Sequence, residues 1–337
     1  MRSILLCLGI CATFASSGSA VCNIPVFRYA LERWQPDACR VVVFYEGAFT
    51  SEQESIVGRW GSQGIAAGGS SNLELIRYDL RAKTDPKLLE SWESLNRTER
   101  RVLPFISVQS SLGSGKVVPV WNGPLRAESI PTVVDSPVRK ELAKRLLEGD
   151  AVVWIMLKSN DHVRNNQSYN LLKQELSRLE AKLKLPDGIG LPGSELYSDV
   201  PLLLKFSILE LNPMDKNEEL LVSLFRSFEP ELVNEPLFIP VFGRGRALEV
   251  MTGKQMDAAL IESLTMFLCG ACSCQVKERN PGFDLLLSAN WNRELFGEGG
   301  DAPPPVTSLE RAPTNPKLLQ VPPGRIRPAS SPPEAGR

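Results

Sequence analysis

Three cysteines lie within six residues in the last quarter of the chain, at Cys269, Cys272 and Cys274. Cys22 and Cys39 lie near its beginning, and the whole sequence contains seven cysteines. Thiols at this density are typical of a metal site, of structural disulfides or of redox chemistry. The cellular compartment of the protein helps to decide between these three, because disulfides persist only where the surroundings are oxidising.

The first 20 residues are typical of a secretory signal peptide. Arg2 gives a positive start, residues 4–12 form a short apolar stretch, and small residues follow up to Ala20. We therefore expect cleavage after Ala20 and export to the periplasm or the extracellular space. The apolar stretch is shorter than the roughly 20 residues of a membrane-spanning helix, so we expect no membrane span after cleavage. The alternative is a lipid-anchored protein attached through Cys22, although Val21 is bulky for such a site.

Cleavage would leave five cysteines, and an odd number in an exported protein indicates a free thiol, an intermolecular bond or a metal site. The formal net charge is −1 with 23% charged residues, which gives no electrostatic reason to expect nucleic acid as a partner. The length of 337 residues indicates about two domains.

Between residue 40 and about residue 268, apolar runs rich in β-branched residues alternate with segments of helical period. The predicted strands span 41–45, 73–80, 105–109, 117–121, 151–157, 202–211, 237–242 and 247–251. The predicted helices span 51–60, 86–95, 136–148, 167–185, 218–228 and 257–268. The order of elements in the first half recurs in the second, which predicts an α/β protein with domains at 21–149 and 150–298.

This repeated order resembles the thioredoxin fold, in which a proline precedes the third core strand and a hairpin follows that strand. Pro104 lies before the predicted strand 105–109, and Pro236 lies before the predicted strand 237–242. The resemblance implies two tandem thioredoxin-like domains. It makes Pro104 and Pro236 candidates for the family's cis-proline, with an ordinary proline at the start of a strand as the alternative.

Both predicted domains depart from the thioredoxin pattern at its reactive position. Thioredoxins carry two cysteines separated by two residues just after the first strand, where the helix dipole lowers the thiol pKa. The chain instead has Glu-Gly-Ala-Phe-Thr at 46–50 and Lys-Ser-Asn-Asp-His at 158–162. We therefore do not expect ordinary disulfide oxidoreductase activity, and an enzymatic role stays uncertain.

The two ends of the chain carry a further resemblance. The segment from Cys22 to Trp34, the cysteine-rich sequence at 269–277 and Asn-Pro-Gly at 280–282 together resemble exported proteins of planctomycete-type bacteria. This resemblance implies export only. Residues 299–337 are rich in proline and lack apolar periodicity, so we predict a disordered tail.

The cysteine-rich sequence has four interpretations. In the first, two structural disulfides join the four thiols of Cys22, Cys269, Cys272 and Cys274. In the second, the same four thiolates form a tetrahedral site for zinc or copper. A redox pair at Cys269 and Cys272 has suitable spacing, but it follows a predicted helix, where the dipole raises thiol pKa values. Buried free thiols are the fourth interpretation.

Other motifs are weaker. We interpret His162 as a solvated loop residue, and residues 111–117 as a hairpin turn rather than a phosphate-binding loop. The sequence Gly-Arg-Gly-Arg at 243–246 is explained by turn chemistry, although its arginines suggest an anion site as the alternative. The leading functional hypothesis is a non-catalytic binding or scaffold protein with an unknown protein partner and no cofactor. The alternative is a redox or metal-handling protein.

Overall fold

The structure is a computed structural model that describes residues 22–82, 84–95, 102–112, 117–127, 129–134, 136–230, 232, 234–272, 275–298 and 303. The predicted signal peptide, nearly all of the predicted tail and Cys274 lie outside the described residues. No helix in the described part of the chain is long and apolar enough to cross a membrane.

The first half of the chain forms a four-stranded sheet in the order β2-β1-β3-β4. Strands β1 and β2 are parallel, whereas β3 is antiparallel to both β1 and β4. The elements up to the end of this half are α1 (Val26–Arg33), β1 (Cys39–Tyr45), α2 (Ser51–Gln63), β2 (Leu73–Asp79), α3 (Pro86–Ser94), β3 (Phe105–Ser111), β4 (Val117–Pro124), α4 (Ser129–Val134) and α5 (Pro137–Leu147).

The second half forms a six-stranded sheet in the order β10-β8-β7-β5-β6, with β9 also paired to β7. Strands β5 and β6 are parallel, and β7 is antiparallel to β5. Its elements are β5 (Val152–Leu157), α6 (His162–Lys182), β6 (Phe206–Leu211), α7 (Glu219–Arg226), β7 (Leu237–Phe242), β8 (Arg246–Ala247), β9 (Met251–Thr252), α8 (Ala258–Cys269), β10 (Phe283–Asp284) and α9 (Trp291–Phe296).

The strand orders β2-β1-β3-β4 and β6-β5-β7-β8 are the same arrangement, with one parallel pair followed by an antiparallel hairpin. Both halves have a thioredoxin-like fold. The predicted α/β class and the two tandem domains are confirmed. The predicted strand 247–251 is wrong, because the chain forms two short strands, β8 and β9, in its place. The predictions also omitted α1, α4, β10 and α9.

Side-chain caps determine where several helices begin. Thr50 and Gln53 form a capping box at the start of α2. Asp161 accepts hydrogen bonds from two backbone N–H groups and starts α6 at His162, five residues earlier than predicted. Ser136 caps α5, whose first residue is Pro137. The helices that follow β1 and β5 therefore both begin with a side-chain cap.

One hydrophobic core is shared by the two domains. One face of β1 and β3 and one face of β5 and β7 belong to the same buried cluster, together with side chains from α2, α5 and α7. The opposite face of the first sheet packs on α3, and the opposite face of the second packs on α1, α6 and α8. Burial of this apolar surface is the main favourable contribution to folding, so the two domains stabilise each other.

The amino-terminal helix packs on the second domain, and a carboxyl-terminal segment packs on the first. Helix α1 packs on the second domain, although the predicted boundary places it with the first. Residues 285–288 pack on the first domain, where Asn72 exchanges hydrogen bonds with the backbone of Leu285 and Leu287. Arg139 also donates to the carbonyl oxygen of Leu286.

Arg244 holds the end of α1. Its guanidinium is buried and donates to the carbonyl oxygens of Leu31 and Glu32 at 2.7 and 2.9 Å, and to side-chain oxygens of Gln35 and Asn292. These carbonyl groups belong to the last turn of α1, which has no intrahelical donors for them. Burial lowers the pKa of Arg244 to about 10.

We expect the substitution Arg244→Met to lower the free energy of unfolding by about 3 kcal/mol, because it leaves several buried acceptors without donors. Urea unfolding followed by circular dichroism measures this change. Arg40→Met is the matched control, since Arg40 forms an exposed ion pair with Glu74 and its loss is expected to cost less than about 1 kcal/mol. Equal effects of the two substitutions would contradict this role for Arg244.

Candidate functional site

The reactive corner of a thioredoxin fold is formed in the first domain by the turn after β1 and by the residue before β3. Phe44 pairs with Phe105 in the sheet, so the turn at 46–50 and Pro104 lie at the same sheet edge. The peptide bond between Leu103 and Pro104 is cis. The topology therefore places the turn after β1 beside the cis-proline, as in a thioredoxin fold.

Aromatic packing is present in the turn of this corner in the first domain. The ring of Phe49 lies 4.5 Å from the ring of Tyr45, and the guanidinium of Arg77 lies 5.8 Å from the Phe49 ring centroid. The next residue, Thr50, uses its hydroxyl to cap α2. The turn thus presents an aromatic ring and a helix cap where a thioredoxin presents thiols, and it has no nucleophile of that kind.

The corresponding corner of the second domain lies between the turn at 158–161 and Pro236. Leu157 pairs with Leu237, which places these two segments at one sheet edge. The peptide bond before Pro236 is not cis. Of the two candidate cis-prolines, Pro104 alone has this geometry.

A group of charged side chains fills the second corner. Glu235 precedes Pro236 and is almost fully buried, and its carboxylate forms ion pairs with Arg164 in the first turn of α6 and with Lys254. A buried carboxylate needs such partners, because an unpaired charge in the interior is costly. This ion-pair group joins the two segments between which a thioredoxin exposes its reactive thiol.

Hydrogen bonds also close the turn itself. The amide oxygen of Asn165 accepts from the N–H and from the hydroxyl of Ser159, both at 3.0 Å, and its amide nitrogen donates to the carbonyl oxygen of Ser159. The Ser159 hydroxyl is therefore a structural donor. His162 is exposed, as predicted, but it is the first residue of α6 and not a loop residue.

The cysteine-rich segment lies against the amino-terminal segment through backbone contacts. Pro25 and Ala271 form an antiparallel bridge, Val26 N–H donates to Gly270 at 3.0 Å, and Cys272 N–H donates to Ile24 at 2.9 Å. These backbone contacts place the amino-terminal segment beside the cysteine-rich segment.

The described cysteines are buried. Cys22, Cys269 and Cys272 belong to the apolar cluster between α1, α6 and α8. Cys22 and Cys269 carry free thiols, and no disulfide is present in the described part of the chain. Within the same residues, no group of His, Cys, Asp or Glu is arranged to hold a metal ion. Cys274 lies outside the described residues.

Burial makes these thiols poor nucleophiles. It raises the pKa of Cys269 to about 12 and that of Cys39 to about 12, although the charge of Arg139 opposes the shift at Cys39. The thiolate is the reactive form, so little of either cysteine is reactive near neutral pH. The position of Cys269 as the last residue of α8 agrees with the dipole argument from the sequence.

The arginines at 243–246 do not form an anion site. Arg244 is buried on the end of α1, and Arg246 is buried in an ion pair with Asp284 at 3.2 Å. Gly243 and Gly245 have φ angles of 59° and 90°, as the predicted turn requires. The turn prediction is confirmed, and the alternative of an anion site is wrong.

Comparison with protein-family models gives no match, and comparison with curated proteins gives none either. Among solved structures, the chain is similar to the crystal structure of ERdj5 form II, with 10% identity, a TM-score of 0.20, and coverage of 70% of this chain and 28% of that chain. It is also similar to the first two thioredoxin domains of Naumovozyma dairenensis Eps1p, with 11% identity, a TM-score of 0.20, and coverage of 71% and 93%. At these TM-scores the fold assignment rests on the strand order described above.

We expect Cys39 and Cys269 to resist alkylation by iodoacetamide at pH 8 in the reduced, folded protein. A thiol with a pKa of about 12 has roughly one thiolate in 10,000 at this pH. Peptide mapping by mass spectrometry identifies the modified residues, and the same protein in 8 M urea is the control in which both should react. Rapid modification of Cys269 in the folded protein would contradict the description of this thiol.

Proposed function

We propose that this protein is an exported, non-catalytic thioredoxin-like protein that binds or scaffolds another protein. The observation that carries the proposal is what occupies the two reactive turns: the Phe49 ring packed on Tyr45 in the first domain, and the ion pairs of Glu235 beside the turn of the second. Neither turn carries a thiol, and the side chains there are held by caps, ion pairs and hydrogen bonds. A fold with this arrangement retains rigid strand ends and turns that suit recognition.

Export is supported by the leader-like first 20 residues and by the resemblance of the chain ends to exported proteins of planctomycete-type bacteria. The periplasm or the extracellular space is the compartment we propose. Because disulfides persist in such an oxidising compartment, we also propose that the protein contains structural disulfides.

The disulfides we propose involve Cys22, Cys269, Cys272 and Cys274. For each bridge, two thiols lose two protons and two electrons to the thiol–disulfide oxidants of the compartment. The support is local: the segments that contain these cysteines are joined by backbone hydrogen bonds, and three of the four thiols lie in one apolar cluster. A bridge from Cys22 to the distant cluster would close a long loop and so restrict the unfolded chain strongly.

We expect no acceleration of insulin reduction by dithiothreitol when the protein is added at micromolar concentration, because the thiols near α8 are buried and neither corner carries one. Turbidity of the precipitating insulin chain is the measurement, with an active thioredoxin as the positive control. The double substitution Cys269→Ser and Cys272→Ser should leave the rate unchanged. An acceleration that disappears in this variant would support the redox alternative and overturn the proposal.

We expect a reducing agent to lower the free energy of unfolding of the exported protein by about 2–4 kcal/mol, because it reduces the proposed disulfides. The denaturation midpoint with and without reductant, together with a count of free thiols, measures this. Cys22→Ala should reduce the effect of the reductant, whereas Cys39→Ala, the matched control in the first domain, should not. Stoichiometric zinc or copper by elemental analysis, with all thiols reduced, would contradict the proposed disulfides and favour the metal-handling alternative.

A further inference from the structure

An open cleft of about 470 Å³ lies at the carboxyl ends of the parallel strands β5 and β6. The turn after β5 contributes Ser159 and Asn160, the segment after β6 contributes Pro213, and α7 with the residues that follow it contributes Val222, Arg226 and Pro230. The carboxyl ends of parallel strands are a frequent location for ligands in α/β folds. The volume lies within the range of ligand-binding sites.

This cleft adjoins the corner of the same domain, because Ser159 and Asn160 belong to the turn of that corner and Arg226 donates to the carbonyl oxygen of Glu235. The Glu235 carboxylate pairs instead with Arg164 and Lys254, which do not line the cleft. Pro213, Val222 and Pro230 give it apolar walls, and the adjacent Met214 is 81% exposed. An exposed methionine beside an apolar cleft is typical of adaptable binding surfaces.

Arg226 supplies the charge in the cleft. Its Nη1 donates to the carbonyl oxygens of Leu232 and Glu235 at 2.9 and 3.1 Å, and its Nη2 donates to the carbonyl oxygen of Lys158 at 3.2 Å. A guanidinium has five N–H donors, so two have no acceptor among the described residues, one on Nε and one on Nη2. Nε and Nη2 are neighbouring nitrogens, and a carboxylate commonly accepts two hydrogen bonds from such a pair.

No carboxylate in the described part of the chain forms an ion pair with Arg226. The side chain is partly buried, and burial lowers the pKa of Arg226. A partly desolvated cation that is held in place by three backbone carbonyl groups favours an anion from outside the chain.

We propose that the cleft binds an extended peptide segment of a partner protein, with an aspartate or glutamate carboxylate on Arg226 and apolar side chains against Pro213, Val222 and Pro230. This inference rests on the proposed binding function and names its site and the chemistry of the partner. The apolar walls favour a peptide over a free inorganic anion, because a free anion would leave them exposed to water. The exposed amide of Asn160 offers hydrogen bonds to the peptide backbone.

The test uses a library of random heptapeptides displayed on phage and selected on the immobilised full chain. We expect enrichment of peptides with one acidic residue flanked by apolar residues. The affinity of a selected peptide is then measured by fluorescence anisotropy, beside the same peptide with its acidic residue replaced by the corresponding amide. Loss of the charge should weaken binding about tenfold or more.

Ser227 offers a matched pair of variants, because it is exposed, lines the cleft and follows Arg226 directly. Ser227→Asp places a competing carboxylate beside the guanidinium and should weaken binding of the acidic peptide about tenfold or more. Ser227→Asn has nearly the shape of the aspartate variant without its charge, so the acidic peptide should bind it about tenfold or more tightly than it binds Ser227→Asp. Both variants leave the three backbone contacts of Arg226 in place, and circular dichroism checks that they fold.

Enrichment of peptides without an acidic residue, equal binding to the Asp and Asn variants, or equal binding of the acidic peptide and its amide analogue would each overturn the site. Selected peptides that bind elsewhere would reject the cleft while leaving the proposed binding function intact. The insulin assay tests the absence of catalysis separately, so the two failures are distinguishable.

Discussion

The burial of charge around α1 is the constraint on which the architecture depends. The Glu32 carboxylate is fully buried, and it accepts hydrogen bonds from Arg28 Nε at 2.9 Å and from the backbone N–H groups of Tyr197 and Ser198. Arg28 in turn donates to carbonyl oxygens in the same loop of the second domain. A buried ion pair is stable only when its remaining donors and acceptors are satisfied, so α1 and this loop need each other.

This constraint determines which surfaces remain for recognition. Helix α1 completes the layer formed by α6 and α8 over the outer face of the second sheet, and the inner faces of both sheets meet in the shared core. The outer face of the first sheet is covered by α3. Both sheets are therefore covered on their faces, and the strand ends with their turns are the parts of the fold best placed to meet another molecule.

The sequence predicts the strands well because their signal is local. Runs such as 152–157 and 237–242 are apolar throughout and lie in buried strands, and the repeated order indicates the tandem fold. Contacts between distant residues have no local signal. Arg244 donates to the end of α1 more than 200 residues away, and Glu235 lies about 70 residues from Arg164, so neither role is apparent from spacing. Helix α1 was missed because it buries charged residues as well as apolar ones.

The two corners and the cleft follow one physical principle. A thioredoxin corner is reactive because it leaves a thiol exposed at a helix amino terminus, where the dipole stabilises the thiolate. Here the corresponding helix termini are capped by Thr50, which accepts from one backbone N–H group, and by Asp161, which accepts from two, so these donors are already engaged. In the second domain the guanidinium of Arg226 donates to the carbonyl oxygens of Glu235 and Lys158 and has no carboxylate partner among the described residues. The anion recognition that we propose for Arg226 requires no covalent chemistry, so it is compatible with turns that carry no thiol.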